Sequence, residues 1–189
     1  MSQLHTHIDD KLRSFIEQQQ MFFVGTAPLK ANGHVNLSPK GMNSFRILGE
    51  KTVAYMDYFG SGIETVAHLR ENGRIVICFC SFEGHPNILR LHGTGRAVER
   101  CDAEWEKLAP NFPVERGVRA IIVAEITRIS DSCGYGVPLY TFNGQRKQRQ
   151  QSIGARSDEQ LCQSIERYNL KSIDGLPGLR DPKGVLSAK

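Results

Sequence analysis

The chain has 189 residues, a length that suits one domain, alone or with a helical appendage. Hydrophobic residues make up 40% of it, which is enough for a core. The net charge of +4 permits an anionic ligand, but there is no dense basic face for nucleic acid. No apolar run approaches the roughly 18 residues of a membrane span, and the N-terminus lacks the apolar stretch of a signal peptide.

The five cysteines are odd in number and none belongs to a CxxC pair, which indicates free thiols in a reducing compartment. We therefore expect a cytoplasmic protein with neither a membrane nor a nucleic-acid partner. The six histidines show no metal-ligand spacing, so no metal site is expected.

Hydrophobic periodicity predicts short strands and few helices. The first helix is indicated by Ile8, Leu12 and Ile16 at four-residue spacing, and the last by the capping residue Ser157 followed by two acidic residues. In chain order the prediction is a helix over 8–19, strands over 21–27, 35–38 and 52–58, a helix over 61–72, strands over 74–80 and 88–98, a helix over 102–108, a strand over 120–129 and a helix over 158–168.

Consecutive strands with few helices between them favour an antiparallel or barrel architecture over alternating βαβ units. The predicted fold class is therefore mainly β (α+β). We expect a barrel domain with its N-terminal helix over residues 1–143. Residues 144–189 are expected to form an exposed linker, a C-terminal helix and an irregular tail, packed on the same domain or on a partner subunit.

A lysine stands at the end of a predicted strand in the segment NLSPKG. Lys40, with the hydroxyl of Ser38 nearby, can contact a phosphate, because a mobile ammonium and a hydroxyl supply charge and a donor. The alternative is that Lys40 is a solvated lysine in a turn.

A second polar segment, GSGIET, follows a predicted strand and opens a helix. Gly60 and Gly62 let the backbone approach an anion, Ser61 and Thr65 supply hydroxyls, and the first amides of the helix add donors. The alternative is that Ser61 caps the helix in a capping box with Glu64. The segment has neither the ending of a Walker loop nor the third glycine of a Rossmann fingerprint. If the two segments lie at the ends of neighbouring strands, one phosphate can contact both.

The order of these motifs, followed by an apolar strand and LRLHGTG, resembles the pyridoxamine 5'-phosphate oxidase-like superfamily of FMN-binding split β-barrel proteins over about residues 15–130. The resemblance implies an FMN-binding split β-barrel with peripheral helices, usually a homodimer with each flavin between two subunits. In that family the lysine-bearing strand and the strand-to-helix turn contact the phosphate, and the backbone of the strand before the helix passes along the isoalloxazine ring. Carried onto this chain, the implied FMN contacts are Ser38, Lys40, Tyr55, Met56, Asp57, Gly60, Ser61, Gly62 and Thr65.

The chain departs from the family pattern near its C-terminus. True pyridoxamine 5'-phosphate oxidases end in an Arg-Leu-x-Pro type motif that helps hold the pyridoxal substrate, and residues 177–186 do not contain it. The resemblance therefore implies flavin binding and not vitamin B6 oxidation. After the last predicted strand, the loop of Cys133, Gly134, Tyr135 and Gly136 is a candidate cover for the partner subunit's flavin. The alternative is an ordinary tight loop with a packed tyrosine.

Two hypotheses for function follow. The first is an FMN-dependent oxidoreductase that acts on an unidentified small molecule with a nicotinamide electron donor, in which no side chain can be named as a general acid or base. The second is a non-catalytic flavin- or haem-binding protein for cofactor storage or redox sensing. A haem site would need a histidine or another axial ligand facing the cleft, and the sequence offers no candidate for it.

Overall fold

The computed structural model describes residues 3–113 and 115–186, which form eight strands, five α-helices and two short 3-10 helices. None of the helices in these residues has the length and apolar character needed to cross a membrane. The strands are β1 (Leu4–His5), β2 (Phe22–Thr26), β3 (Asn36–Lys40), β4 (Phe45–Ile47), β5 (Thr52–Tyr58), β6 (Arg74–Cys80), β7 (Ile88–Val98) and β8 (Val118–Ser132). The α-helices are α1 (Asp10–Gln18), α2 (Glu64–Asn72), α3 (Trp105–Leu108), α4 (Gln148–Gly154) and α5 (Asp158–Asn169), and the 3-10 helices are Ala109–Asn111 and Gly184–Leu186.

The strands form one antiparallel sheet in the order β3-β2-β6-β7-β8-β5-β4, with β1 added to β8. The long strand β8 pairs with β7 on one side and β5 on the other, so it joins the two halves of the sheet. The sheet curls into a half-barrel with the helices around it, which confirms the predicted mainly β split-barrel fold.

The core fills the concave side of the curled sheet. In β6, Ile75, Ile77 and Phe79 are buried while the residues between them are more exposed, as expected for a strand with one face in the core. Helix α1 covers part of this core with Leu12 and Ile16, which confirms the periodicity seen in the sequence.

A close backbone approach explains the glycine in the middle of β7. A Cβ at Gly93 would lie 2.1 Å from the carbonyl oxygen of Glu125 on β8, and the register between β7 and β8 shifts between His92 and Gly93. Only glycine fits this position without moving one of the strands.

The structure differs from the predicted elements in several places, and it adds the short strands β1 and β4. The segment predicted as an exposed linker contains α4, whose Ile153 is buried, so an apolar contact orders part of this polar stretch. The helix predicted from residue 61 begins at Glu64 instead. The later start of α2 is a boundary difference, where local propensity is a weak signal.

The C-terminal part of the chain packs against the sheet. Helix α5 begins with a capping box at Ser157 and buries Leu161 and Ile165. Beyond it, the fully buried carboxylate of Glu99 accepts hydrogen bonds from the backbone amides of Arg180 at 2.9 Å and Asp181 at 2.8 Å. These bonds hold residues 180–181 against the end of β7.

Candidate functional site

A cleft of about 390 Å³ lies between the end of β3, the end of β5 and the turn that opens α2. It contains most of the residues predicted from the two polar segments. The predicted residues that line it are Ser38, Lys40, Met56, Gly60, Ser61, Gly62 and Thr65. The two segments that the sequence singled out therefore share one cavity.

The curl of the sheet, rather than strand adjacency, brings the two segments together. The strands that carry them are not neighbours in the sheet, because β2, β6, β7 and β8 lie between β3 and β5. The edge of the sheet at β3 approaches β5 across the open side of the barrel. Lys40 at the end of β3 bridges this gap, with its Nζ 2.8 Å from Oδ1 of Asp57 on β5.

Asp57 is the centre of a buried ion cluster beneath the cleft. Its side chain is fully buried, and its second oxygen accepts a 2.7 Å hydrogen bond from Nε of Arg119 on β8. Burial alone would raise the pKa of Asp57, but the charges and hydrogen bonds of Arg119 and Lys40 outweigh it and lower that pKa to about 2. Two cations therefore meet one carboxylate, and the cluster carries a net positive charge at neutral pH.

A hydrogen-bonded amide ties β3 to the start of α2. The Asn36 Oδ1 accepts from the hydroxyl of Ser38 at 2.9 Å. Its Nδ2 donates at 3.0 Å to the hydroxyl oxygens of both Thr26 and Thr65. Because the amide links all three hydroxyls, it fixes the orientation of the polar wall of the cleft.

The opening of α2 carries no side-chain cap. The residue before the helix is Ile63, and no side chain bonds the first-turn amides there, so the alternative that Ser61 and Glu64 form a capping box is wrong. Glu64 also lines the cleft, but Oε1 of its carboxylate accepts a 3.2 Å hydrogen bond from the backbone amide of Ile173. The helix start thus offers backbone donors and the exposed hydroxyl of Ser61 to a ligand.

Some of the predicted contacts do not face the cleft. The side chain of Tyr55 is fully buried in the core, where its ring meets that of Phe22 edge-on at 5.4 Å between centroids. The backbone amide of Met56 donates to the carbonyl oxygen of Ser44 at 3.0 Å, so this amide already has an acceptor within the protein.

The predicted covering loop lies away from the cleft of its own chain. None of Cys133, Gly134, Tyr135 and Gly136 lines the cleft, and the backbone of Gly134 packs against that of Asn87. Tyr135 is 81% exposed, so it is not the packed tyrosine of the alternative interpretation. That this loop covers the site of a partner subunit stays a prediction.

Among the side chains missing from the sequence prediction, three polar ones organise the cleft. They are Asn36, which orients the hydroxyls, Arg119, which pairs with Asp57, and Asn169 at the end of α5. Arg119 had a signal, because a charged residue inside an apolar strand needs a partner. Asn169 had none, since an asparagine at a helix end is an ordinary terminal residue.

The chemistry of the donor set fits an anionic phosphate ester. Lys40 supplies an ammonium, Ser38, Ser61 and Thr65 supply hydroxyls, and the start of α2 supplies backbone amides and the positive end of a helix dipole. A group with one or two negative charges and several acceptor oxygens matches these donors better than a neutral ligand does.

A family comparison agrees with this geometry. The family model for pyridoxamine 5'-phosphate oxidase matches residues 8–133, about two thirds of the chain. The chain belongs to the pyridoxamine 5'-phosphate oxidase family. This membership confirms the resemblance that the order of the sequence motifs indicated. The matched residues contain the whole cleft except for the contacts from α5 and the segment after it.

Individual relatives extend the likeness of this pyridoxamine 5'-phosphate oxidase family member. The pyridoxamine 5'-phosphate oxidase family protein ustO of Aspergillus flavus is 36% identical, and the match covers 91% of this chain and 76% of that protein. The solved structure of HupZ from Group A Streptococcus is 27% identical with a TM-score of 0.50, covering 65% of this chain and 91% of that one. A candidate pyridoxamine 5'-phosphate oxidase from Lactobacillus delbrueckii, 14% identical with a TM-score of 0.51 over 66% of this chain and 94% of its own, shares the fold.

Proposed function

We propose that the protein is an FMN-dependent oxidoreductase that acts on a small molecule and takes electrons from a nicotinamide donor. The observation that carries the proposal is the shared cleft, in which the strand end at Lys40 and the uncapped start of α2 face the same space. Family membership supports FMN as the phosphate ester, since the superfamily that the sequence resembles binds this flavin.

The residues of the cleft divide into those that bind the ligand and those that support them. FMN, when bound, supplies hydride or electron transfer, so the protein needs to bind and orient it rather than provide a catalytic acid or base. Lys40 and the amides at the start of α2 hold the phosphate. Asp57 and Arg119, buried beneath, keep the ammonium of Lys40 at the cleft and maintain the excess positive charge there.

Apolar and aromatic side chains also line the cleft and suit a flat ring. Met42, Met56 and Phe59 line it together with Tyr58, and such a lining excludes water from the ligand. Met42 and Asn43 both have positive φ angles, 63° and 54°, in the loop between β3 and β4. Two successive non-glycine residues in this region store backbone strain, a feature that concentrates at ligand sites.

The haem alternative receives no support from the cleft. Among the residues described there, none that lines the cavity is a histidine. His68 is fully buried, and its Nδ1 lies 3.0 Å from the hydroxyl of Thr26, within the polar network behind the cleft. The Nδ1 of His68 is therefore engaged in this hydrogen-bond network and is not placed as an axial haem ligand in the cleft.

Purification tests the cofactor, and reduction tests the activity. We expect a yellow protein that releases FMN on denaturation. We also expect bound flavin whose visible absorbance is bleached by NADH or NADPH and restored by an acceptor. A colourless protein that does not bind added FMN would overturn the proposal. If flavin binds but neither NADH nor NADPH reduces it, the protein is a flavin carrier and not an enzyme.

We also propose a homodimer. On the edge strand β3, Ser38 and Lys40 line the cleft, while Leu37 is 68% exposed and does not line it. With Val35 just before the strand, 77% exposed, this makes an apolar strip beside the site that a second subunit can cover. Light scattering is expected to give twice the mass of one chain, and Leu37→Lys is expected to shift it to the monomer. A wild-type monomer would contradict the proposal.

The free cysteines support the cytoplasm as the location. All five are unpaired, and Cys101 and Cys133 are exposed, which suits a reducing compartment. Cell fractionation tests this, and recovery of the protein in a secreted, disulfide-bonded form would contradict it.

A further inference from the structure

The C-terminal part of the chain reaches the anion-binding turn through one buried side chain. Asn169, the last residue of α5, is fully buried. Its Nδ2 donates to the carbonyl oxygen of Gly60 at 2.9 Å, and its Oδ1 accepts from Nη1 of Arg119 at 2.9 Å. Arg119 in turn donates to the carbonyl oxygen of Gly62. One amide and one guanidinium thus hold both ends of the Gly-Ser-Gly turn.

Holding these two carbonyls fixes the direction of the amides that follow them. In a planar trans peptide the N–H points opposite to the preceding C=O. When the carbonyl of Gly60 faces Asn169 and that of Gly62 faces Arg119, the amides of Ser61 and Ile63 point away from these buried side chains. Among the residues that the structure describes, no protein acceptor takes either amide proton. The turn therefore presents two unused donors in a fixed direction.

Asn169 is itself anchored from both sides of the chain. Before it, α5 is fixed by the buried Leu161 and Ile165. After it, the chain turns back, and the amide of Leu179 donates to the carbonyl oxygen of Asn169 at 2.8 Å. The segment between also binds the cleft wall, since the amide of Ile173 donates to Glu64. The amide of Asn169 thus has little freedom to move.

We propose that the C-terminal extension, residues 134–186, preorganises the anion-binding turn, and that Asn169 is the positioning residue through which it acts. The extension lies outside the residues that the family model matches, so this support is added to the shared barrel. The inference rests on the proposed function in that the turn binds the phosphate of FMN. Because α5 already orders the turn in the free protein, the turn loses less conformational entropy when the ligand binds.

A comparison of FMN with riboflavin separates positioning from general stability. Riboflavin has the same ring without the phosphate, so a misplaced phosphate turn weakens FMN alone, whereas a damaged barrel weakens both. In the full-length protein we expect Asn169→Ala to raise the Kd of FMN about tenfold, the size of a lost hydrogen bond or two, and to leave that of riboflavin unchanged. The matched control is Ser172→Ala, which removes a 3.1 Å hydrogen bond to the amide of Leu176 in the same extension without touching the turn.

Backbone relaxation of the ligand-free protein tests the same inference without flavin. The ¹⁵N order parameters of Ser61 and Gly62 are expected to be about 0.85 in the wild type and in Ser172→Ala, and below about 0.6 in Asn169→Ala. If Asn169→Ala does not fold, Asn169→Leu keeps a similar volume with neither the donor for Gly60 nor the acceptor for Arg119, and the same changes are expected.

The outcomes separate this inference from the proposed function. A wild type that binds no FMN overturns the proposed function, and the order parameters then decide the inference alone. Unchanged order parameters in the Asn169 variant overturn the inference. So does an FMN affinity equal to that of the wild type, or an equal loss of FMN and riboflavin.

Discussion

Asp57→Asn is expected to lower the free energy of unfolding by about 3–5 kcal/mol, the range for removing one partner of a buried ion pair. The replacement keeps the size of the side chain but removes the charge that compensates Lys40 and Arg119, whose nitrogens lie 2.8 and 2.7 Å away. Arg119 is only 5% exposed, so it cannot turn to water for compensation. Denaturant unfolding of the purified variant measures the loss.

The matched control is an ion pair on the surface. Glu17 is 63% exposed and lies 3.8 Å from Arg13 in the first helix, so Glu17→Ala removes a carboxylate that water already solvates. It is expected to change stability by about 0.5 kcal/mol or less. Equal effects of the two replacements would contradict the buried cluster.

The same carboxylate determines part of the stability at acid pH. The folded pKa of Asp57, about 2, lies below its usual value of 3.8, so its ionised form stabilises the folded protein. This contribution is complete above about pH 4 and is lost as the pH falls through 2. The difference in stability between the wild type and Asp57→Asn is therefore expected to shrink between pH 4 and pH 2. A difference that stays constant would mean that Asp57 is not a charged partner in the fold.

Lys40→Ala is expected to weaken FMN binding by about 1–3 kcal/mol, the range for a charge-assisted hydrogen bond. The variant removes the ammonium from the cleft and leaves Asp57 with Arg119 as its only cation, so the net charge of the cluster falls from positive to zero. Riboflavin, which carries no phosphate, is expected to bind the variant as it binds the wild type. Fluorescence titration gives both affinities.

Lys30→Ala is the control for the change in net charge. Lys30 is exposed in the loop that joins β2 and β3, at the opposite end of β3 from Lys40, and it does not line the cleft. If it weakened FMN binding as much as Lys40→Ala, the effect would come from the overall field of the protein rather than from a phosphate contact. Unchanged FMN affinity in Lys40→Ala would remove this lysine from the site.

Local sequence patterns are enough to identify the two polar segments, because each segment lies where a strand ends. Lys40 follows a strand, and Ser61 stands between two glycines where a strand ends and a helix begins. Such boundaries are visible in composition and periodicity. The detail that fails is the start of α2 at Glu64, since a cap and an open turn have similar residues.

Contacts between distant strands cannot be predicted from a local sequence pattern. The pairing of Lys40 with Asp57 depends on the curl that brings β3 to β5, and the sequence does not contain the degree of curl. Even so, Asp57 and Arg119 each stand in an apolar, buried stretch of a strand, and two opposite charges in such stretches indicate a pair. The role of Asn169 depends on where α5 docks, which only the structure shows.

We propose that one cleft, formed by the end of β3 and the opening of α2, binds the phosphate of the flavin. Calorimetric titration of the wild-type protein with FMN and with riboflavin tests it most directly. We predict that one FMN binds per chain. We also predict an affinity for FMN at least about tenfold higher than for riboflavin, since the phosphate makes the charged contacts. Equal affinities for the two flavins would contradict it.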